Sequence, residues 1–243
     1  MRCEVADGPD ALAQRAADAV CRAVERKPEA VLGLASGATP LALYAELSAR
    51  IAAGDADFRN VTAFAVDELH GVPRGHPATN ASYFARHLAG VPLRALHILD
   101  SEAADPVAEC ARFRRLIEAA GGIDLVVLGI GANGHIAFNE PGRPFDARAG
   151  RVALAETTRR VYAAAFGSFE ATPAFGLTLG LADIVSARAV LLLAGGAEKA
   201  EAVALALKGP VTEQIPASIL QKHAGLTVLL DREAASRLSS VAS

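Results

Sequence analysis

Cysteine is scarce and unpatterned in this chain: Cys3, Cys21 and Cys110 are the only three, far apart and odd in number. That argues against a disulfide framework, and all three are expected to be inert packing residues. Aromatic residues are only 5% of the 243 positions, and the charges, 24 Lys+Arg against 27 Asp+Glu, include no basic tract. The basic footprint of a nucleic-acid-binding protein is therefore missing. A slight net charge of -3 still leaves room for an anionic small molecule in a local pocket. No apolar run approaches the ~20 residues of a membrane helix; the strongest, such as Ala189-Val190-Leu191-Leu192-Leu193-Ala194, are short. Glu4 and Asp7 fall where a signal peptide would carry its apolar core, so a cytoplasmic location is expected. His-x-x-x-His and Cys-x-x-Cys spacings are also lacking, and no metal is expected.

What the chain does have is apolar content, 52% hydrophobic residues, enough to bury a large core. Apolar runs alternate with amphipathic, alanine-rich segments. The runs at Ala30–Ala35, Val61–Val66, Leu96–Leu99, Ile123–Gly129, Ala189–Ala194 and Leu226–Leu230 read as strands, with a further strand at Arg151–Ala155. Helices are expected over Ala11–Arg26, Pro40–Ala53, Ser82–Leu88, Asp105–Ala120, Thr178–Ser186, Glu198–Leu207, Ala217–His223 and Asp231–Ser240. Thr39 is the expected N-cap of the second, with proline at its first position. Near-continuous apolar strands alternating with helices predict an α/β fold: a Rossmann-like, mostly parallel sheet with helices on both faces. The whole chain, 1–243, is read as one domain. Its least regular stretch, about 141–173, is the expected lid.

Three expected strand ends carry unusual polar groups. Gly33-Leu34-Ala35-Ser36-Gly37-Ala38-Thr39-Pro40 runs a strand through a small-residue turn into a helix. Exposed N–H groups, two hydroxyls and a helix N-terminus make an anion site there, with phosphate as the expected anion. That turn is neither a Walker motif nor Gly-x-Gly-x-x-Gly, so it implies no nucleotide. Asp67-Glu68 sets two carboxylates side by side, an arrangement that can raise one of them into the range of a general base. Asn133, His135 and Glu140 follow a strand within eight positions of a glycine-rich turn, and can hydrogen-bond, orient and shuttle protons. Lys199 follows another strand and is placed to reach the same anion.

Four blocks together resemble the glucosamine-6-phosphate deaminases, within a larger group that includes the 6-phosphogluconolactonases. They are Leu32–Pro40, Asp67-Glu68, Gly131-Ala132-Asn133-Gly134-His135-Ile136-Ala137-Phe138-Asn139-Glu140-Pro141, and Pro216-Ala217-Ser218 with Leu220 and His223. Lactonases share Gly-His of the third block but usually continue Thr-Ala-Ser-Leu-Phe. The resemblance implies hydrolytic deamination and isomerisation of a sugar phosphate, without cofactor or metal. It implies that Asp67 is the base between C2 and C1, that His135 assists ring opening, and that Glu140 and Asn133 complete its relay. It assigns Ser36, Gly37, Ala38, Thr39 and Lys199 to the phosphate. A small-molecule sugar phosphate is the expected partner, with neither nucleic acid nor membrane, and the assembly a monomer or homodimer.

In one place the chain departs from the family pattern. The family usually has Asn-Ser-Arg shortly after Thr-Arg, and that last arginine helps hold the phosphate. Here Thr158-Arg159 is followed by Arg160-Val161-Tyr162-Ala163-Ala164-Ala165. Either Arg159 or Arg160 replaces it, or the substrate is held differently. A lactone hydrolase and a non-catalytic sugar-phosphate sensor are the alternative readings.

Overall fold

The computed structural model describes residues 1–238. In chain order the elements are β1 Arg2–Ala6, α1 Pro9–Arg26, β2 Val31–Leu34, α2 Ala38–Ala53, β3 Thr62–Ala65, β4 Asp67–Leu69, α3 Asn80–His87, β5 Ala95–His97 and α4 Pro106–Ala119. They continue with β6 Leu125–Gly129, β7 Gly150–Ala153, α5 Glu156–Phe166, β8 Phe175–Thr178, α6 Leu181–Val185, β9 Ala189–Ala194, α7 Ala200–Lys208 and β10 Leu226–Asp231. Seven strands form one sheet in the order β1-β10-β9-β6-β2-β3-β5, and every pairing in it is parallel.

Strand alternation fills both faces. Val126, Leu128, Val190 and Leu192 pack with residues of α4, α6 and α7 on one side. Leu125, Val127, Leu191 and Leu193 pack with α1, α2 and α3 on the other. This is why the strands read as unbroken apolar runs. Among the described residues no helix is long and apolar enough to cross a membrane.

The topology fixes where a ligand can bind. Chain order runs outward from β2 to β3 and β5, then returns to β6 on the opposite side of β2. The connections after β2 and β6 therefore diverge and leave a crevice at their carboxyl ends, the usual ligand position in open α/β sheets.

Several sequence expectations need correction. A second, antiparallel sheet, β4-β8-β7, was not legible. Thr178, expected at the start of a helix, ends β8 and pairs with Asp67 and Gly150. The stretch 141–173, expected to be the least regular, holds β7, in agreement with the strand expected at Arg151–Ala155, but also the unexpected eleven-residue α5. Pro216–Lys222 is a 3-10 turn rather than an α-helix. Residues 232–238 form turns instead of the expected last helix, whose remaining residues, 239 and 240, lie outside the described residues. Cys21 and Cys110 are buried as expected, but Cys3 is exposed on the edge strand β1.

Candidate active site

The phosphate-like turn is built differently from the expected cap. Helix α2 starts at Ala38, with Gly37 as its N-cap at φ 114, a backbone conformation that suits glycine. Thr39 is inside the helix and Pro40 is its third residue, so no side chain caps the first turn. The leading N–H groups of such a helix have no intrahelical acceptor. The turn's carbonyls are engaged elsewhere. Tyr44 Oη donates to Ala35 O at 2.6 Å, and Tyr83 Oη donates to Gly37 O at 2.8 Å. An uncapped positive helix end flanked by two hydroxyls suits an anion.

Asp67 and Glu68 face different surroundings. Asp67 lines the central cavity and Glu68 does not. The Glu68 carboxylate accepts N–H bonds from Leu69, Asn80 and Ala81 at 2.7, 2.9 and 2.9 Å, anchoring the start of α3. That anchoring brings Asn80 to Asp67. Its Nδ2 donates to Asp67 Oδ1 at 2.6 Å and to the Asp67 carbonyl at 2.7 Å. Burial first, then the neighbouring Glu68 charge, pushes the Asp67 carboxyl up to about 7, against the opposing Asn80 bond.

The third group is a closed relay. His135 Nδ1 lies 3.2 Å from Glu140 Oε2. Asn133 Nδ2 donates to the same oxygen at 2.8 Å, and Asn133 Oδ1 accepts the His135 N–H at 3.2 Å. The second carboxylate oxygen accepts Thr158 Oγ1 at 2.5 Å and the Ala155 N–H at 3.2 Å. Burial opposes the Glu140 charge, but the bonds from His135, Thr158 and Asn133 outweigh it and hold the group at about 2. A permanent carboxylate assigns the imidazole proton to Nδ1, leaving Nε2 as the free basic nitrogen. The Ala217 N–H donates to Gly134 O at 2.9 Å, so the fourth sequence block supports this turn. Ala137 in the same turn holds φ at 49, a strained value for a residue with a side chain.

Gly131 lies directly under the imidazole, where a methyl group would overlap the ring. Gly131→Ala is expected to displace His135 and lower kcat/KM at least tenfold while the protein stays folded. Steady-state kinetics together with a thermal melt check this.

One cavity of about 930 Å³ gathers the predicted residues. Ser36, Gly37, Ala38, Thr39, Asp67, Asn133, His135 and Lys199 all line it, with Glu140 behind His135. Lys199 arrives after β9 and Ser36 after β2, on either side of β6. Neither Arg159 nor Arg160 lines the cavity. Arg159 donates to the carbonyls of Phe169 and Thr172, and Arg160 pairs with Glu156 on the surface. Among the described residues the Lys and Arg lining the cavity are Lys199 and Arg232, and Arg232 is exposed and paired with Asp7 at 2.7 Å. Also among them, no group of three His, Cys, Asp or Glu side chains is arranged to hold a metal ion.

Sequence reasoning missed Asn80, Thr158, Tyr44 and Tyr83. Asn80, Thr158 and Tyr83 act through neighbours distant in the chain and Tyr44 through Ala35 in the turn before its own helix, and no local motif marks them.

Residues 6–229 match the family described as glucosamine-6-phosphate isomerases/6-phosphogluconolactonase. A glucosamine-6-phosphate deaminase of Beutenbergia cavernae is 45% identical over 238 residues, covering 96% of this chain and 91% of its own. One from Pseudarthrobacter chlorophenolicus is 43% identical, covering 98% and 93%. A solved monomeric glucosamine-6-phosphate deaminase superposes with a TM-score of 0.94 at 38% identity, over 97% of this chain and 99% of that one. The 6-phosphogluconolactonase of Trypanosoma brucei, at 22% identity and TM-score 0.74 over 98% of each chain, shares the fold.

Proposed function

The chain belongs to the glucosamine-6-phosphate isomerase and 6-phosphogluconolactonase family, and from that premise we propose that it is an isomerising deaminase. It converts glucosamine 6-phosphate and water to fructose 6-phosphate and ammonia. The observation that carries this reading is the single cavity lined by Asp67, His135, Lys199 and the uncapped Ser36–Thr39 turn. Relatives at 43 and 45% identity bear the deaminase name, whereas lactonases at 22% share only the fold. That contrast favours an amino sugar over a lactone.

Ring opening comes first. His135 Nε2 moves a proton from the C1 hydroxyl to the ring oxygen, while Glu140 and Asn133 hold the imidazole in the required tautomer. The Asp67 carboxylate then removes the C2 proton of the open-chain aldehyde, and the substrate's own ammonium group gives one proton to O1, so that a neutral enol-amine forms. Returned at C1 by Asp67, the C2 proton leaves a protonated imine at C2. Water adds there and ammonia departs, giving the ketose. A base held near 7 is matched to a weakly acidic carbon proton at neutral pH. The phosphate rests on the Ser36–Thr39 N–H groups, the two hydroxyls and Lys199. Binding energy spent there orients C1 and C2.

The segment 141–173 acts as the lid, the protein works as a monomer, as the solved relative does, and a cytoplasmic location is part of the proposal. Purified protein incubated with glucosamine 6-phosphate is expected to release ammonia and fructose 6-phosphate in equal amounts. Faster turnover of 6-phosphogluconolactone would replace this reading with the lactone hydrolase. Ligand-induced stabilisation without turnover would make the protein a sensor. Lys199→Met is expected to raise KM about 10–100-fold, the size of one charge-assisted hydrogen bond, with a smaller change in kcat. Initial-rate kinetics over a range of substrate concentrations separate the two.

A further inference from the structure

The face that α5 turns to the cavity is unusual in its polarity. Thr157, Thr158, Val161 and Tyr162 line the cavity from this helix. Thr158 is committed to Glu140, and Thr157 takes a long bond from Asn133. The Tyr162 hydroxyl has no hydrogen-bond partner among the described residues, although it belongs to a half-buried side chain. Its ring is fixed edge-on against Phe138, with centroids 6.3 Å apart at 71°. It packs on the cluster of Leu69, Val72, Val152 and Leu154 beneath the antiparallel sheet. A rigidly held aromatic with a free hydroxyl is a recognition group in search of a ligand atom.

Its surroundings identify that atom. Burial, then the charges of Asp67, Glu68 and Glu140, oppose ionisation of the phenol and keep it protonated. Tyr162 therefore offers a neutral hydrogen bond and takes no part in proton transfer. The nearby carboxylates disfavour a phosphate dianion at this position, so the anionic end belongs at the Ser36–Thr39 turn with Lys199. Between the reacting C1–C2 pair and the C6 phosphate lie the hydroxyls at C3 and C4.

We propose that Tyr162 is a specificity-determining residue whose hydroxyl hydrogen-bonds the C3 or C4 hydroxyl of the bound hexosamine phosphate. This rests on the proposed deaminase reading. In this chain α5 thus reads the sugar, while both of its arginines point elsewhere.

Tyr162→Phe keeps the ring and its packing, so it isolates the hydroxyl. Wild-type protein and the variant are compared on glucosamine 6-phosphate and its 3-deoxy and 4-deoxy analogues. The wild type is expected to lose about tenfold in kcat/KM on one analogue, the size of one neutral hydrogen bond. The variant should lose about tenfold on the parent sugar and no more than about twofold further on that analogue. Inhibition by inorganic phosphate should be unchanged. Equal penalties for each analogue in both proteins, or a variant within about twofold of wild type on the parent sugar, overturn the inference. A variant weakened equally toward inorganic phosphate overturns it as well, because the hydroxyl would then serve the anion. Wild-type protein without turnover on the parent sugar overturns the deaminase reading itself, a result distinct from the other three.

Discussion

Asp67→Asn is expected to cost about 10²–10⁴-fold in kcat, because it removes the one group assigned to carry the proton from C2 to C1. Exchange of the C2 hydrogen with deuterated solvent should disappear with turnover. Substrate binding should persist, since the phosphate contacts are untouched and asparagine still accepts the Asn80 bond through Oδ1. Retained exchange would remove Asp67 from the role of base. In the wild type, kcat/KM should rise with pH up to about 7 and then level off, following ionisation of Asp67.

The same substitution is expected to stabilise the fold. The native Asp67 group titrates near 7, well above its unfolded value of about 3.9. Between those values the native state binds more protons than the unfolded state, so stability falls as pH rises. Above 7 the full cost of the buried charge is present, on the order of a few kcal/mol. The variant should therefore melt higher than the wild type at pH 8 and lose that advantage near pH 4. A lower melting temperature at pH 8 would show that Asp67 is better solvated than its burial implies.

Glu140→Gln is the second large effect. Losing the charge behind Nδ1 frees the imidazole to adopt the other tautomer and to rotate, so kcat is expected to fall about 10²–10³-fold. Binding of an acyclic aminohexitol phosphate, which needs no ring opening, should hardly change, and isothermal titration can test that. A loss of affinity for the acyclic compound would give Glu140 a binding role instead. Stability moves in the opposite direction from Asp67→Asn. Glu140 titrates near 2 in the folded protein, below its unfolded value, so its contribution is present at neutral pH and disappears as pH falls through the acid range. The variant should lose on the order of 2 kcal/mol at pH 7. Urea unfolding at pH 7 and at pH 3 would show the difference shrinking.

Legibility followed the physics of each element. Strands such as β6 and β9 are covered on both faces, so every residue is apolar and the run announces itself. β4, β7 and β8 are three or four residues long and hold polar or glycine positions. Of the three only β7 is legible, as the strand at Arg151–Ala155; the sheet itself depends on pairing Asp67 with Thr178 and Thr178 with Gly150, which no local pattern encodes. The expected cap at Thr39 failed because Gly37 starts the helix two residues early, leaving the hydroxyls of Ser36 and Thr39 free for a ligand.

What the chain's own residues determined was the α/β alternation and the chemical inventory of three strand ends: a hydroxyl-bearing turn, a carboxylate, and an imidazole followed by its acid. Local spacing and side-chain chemistry suffice for those. The tertiary structure alone decided that Asp67 faces the cavity while Glu68 anchors α3, and that Arg159 braces a surface loop while Tyr162 looks inward. Each of those outcomes depends on burial and on contacts between segments far apart in the sequence, where the environment of a group, rather than its identity, sets its charge and its task.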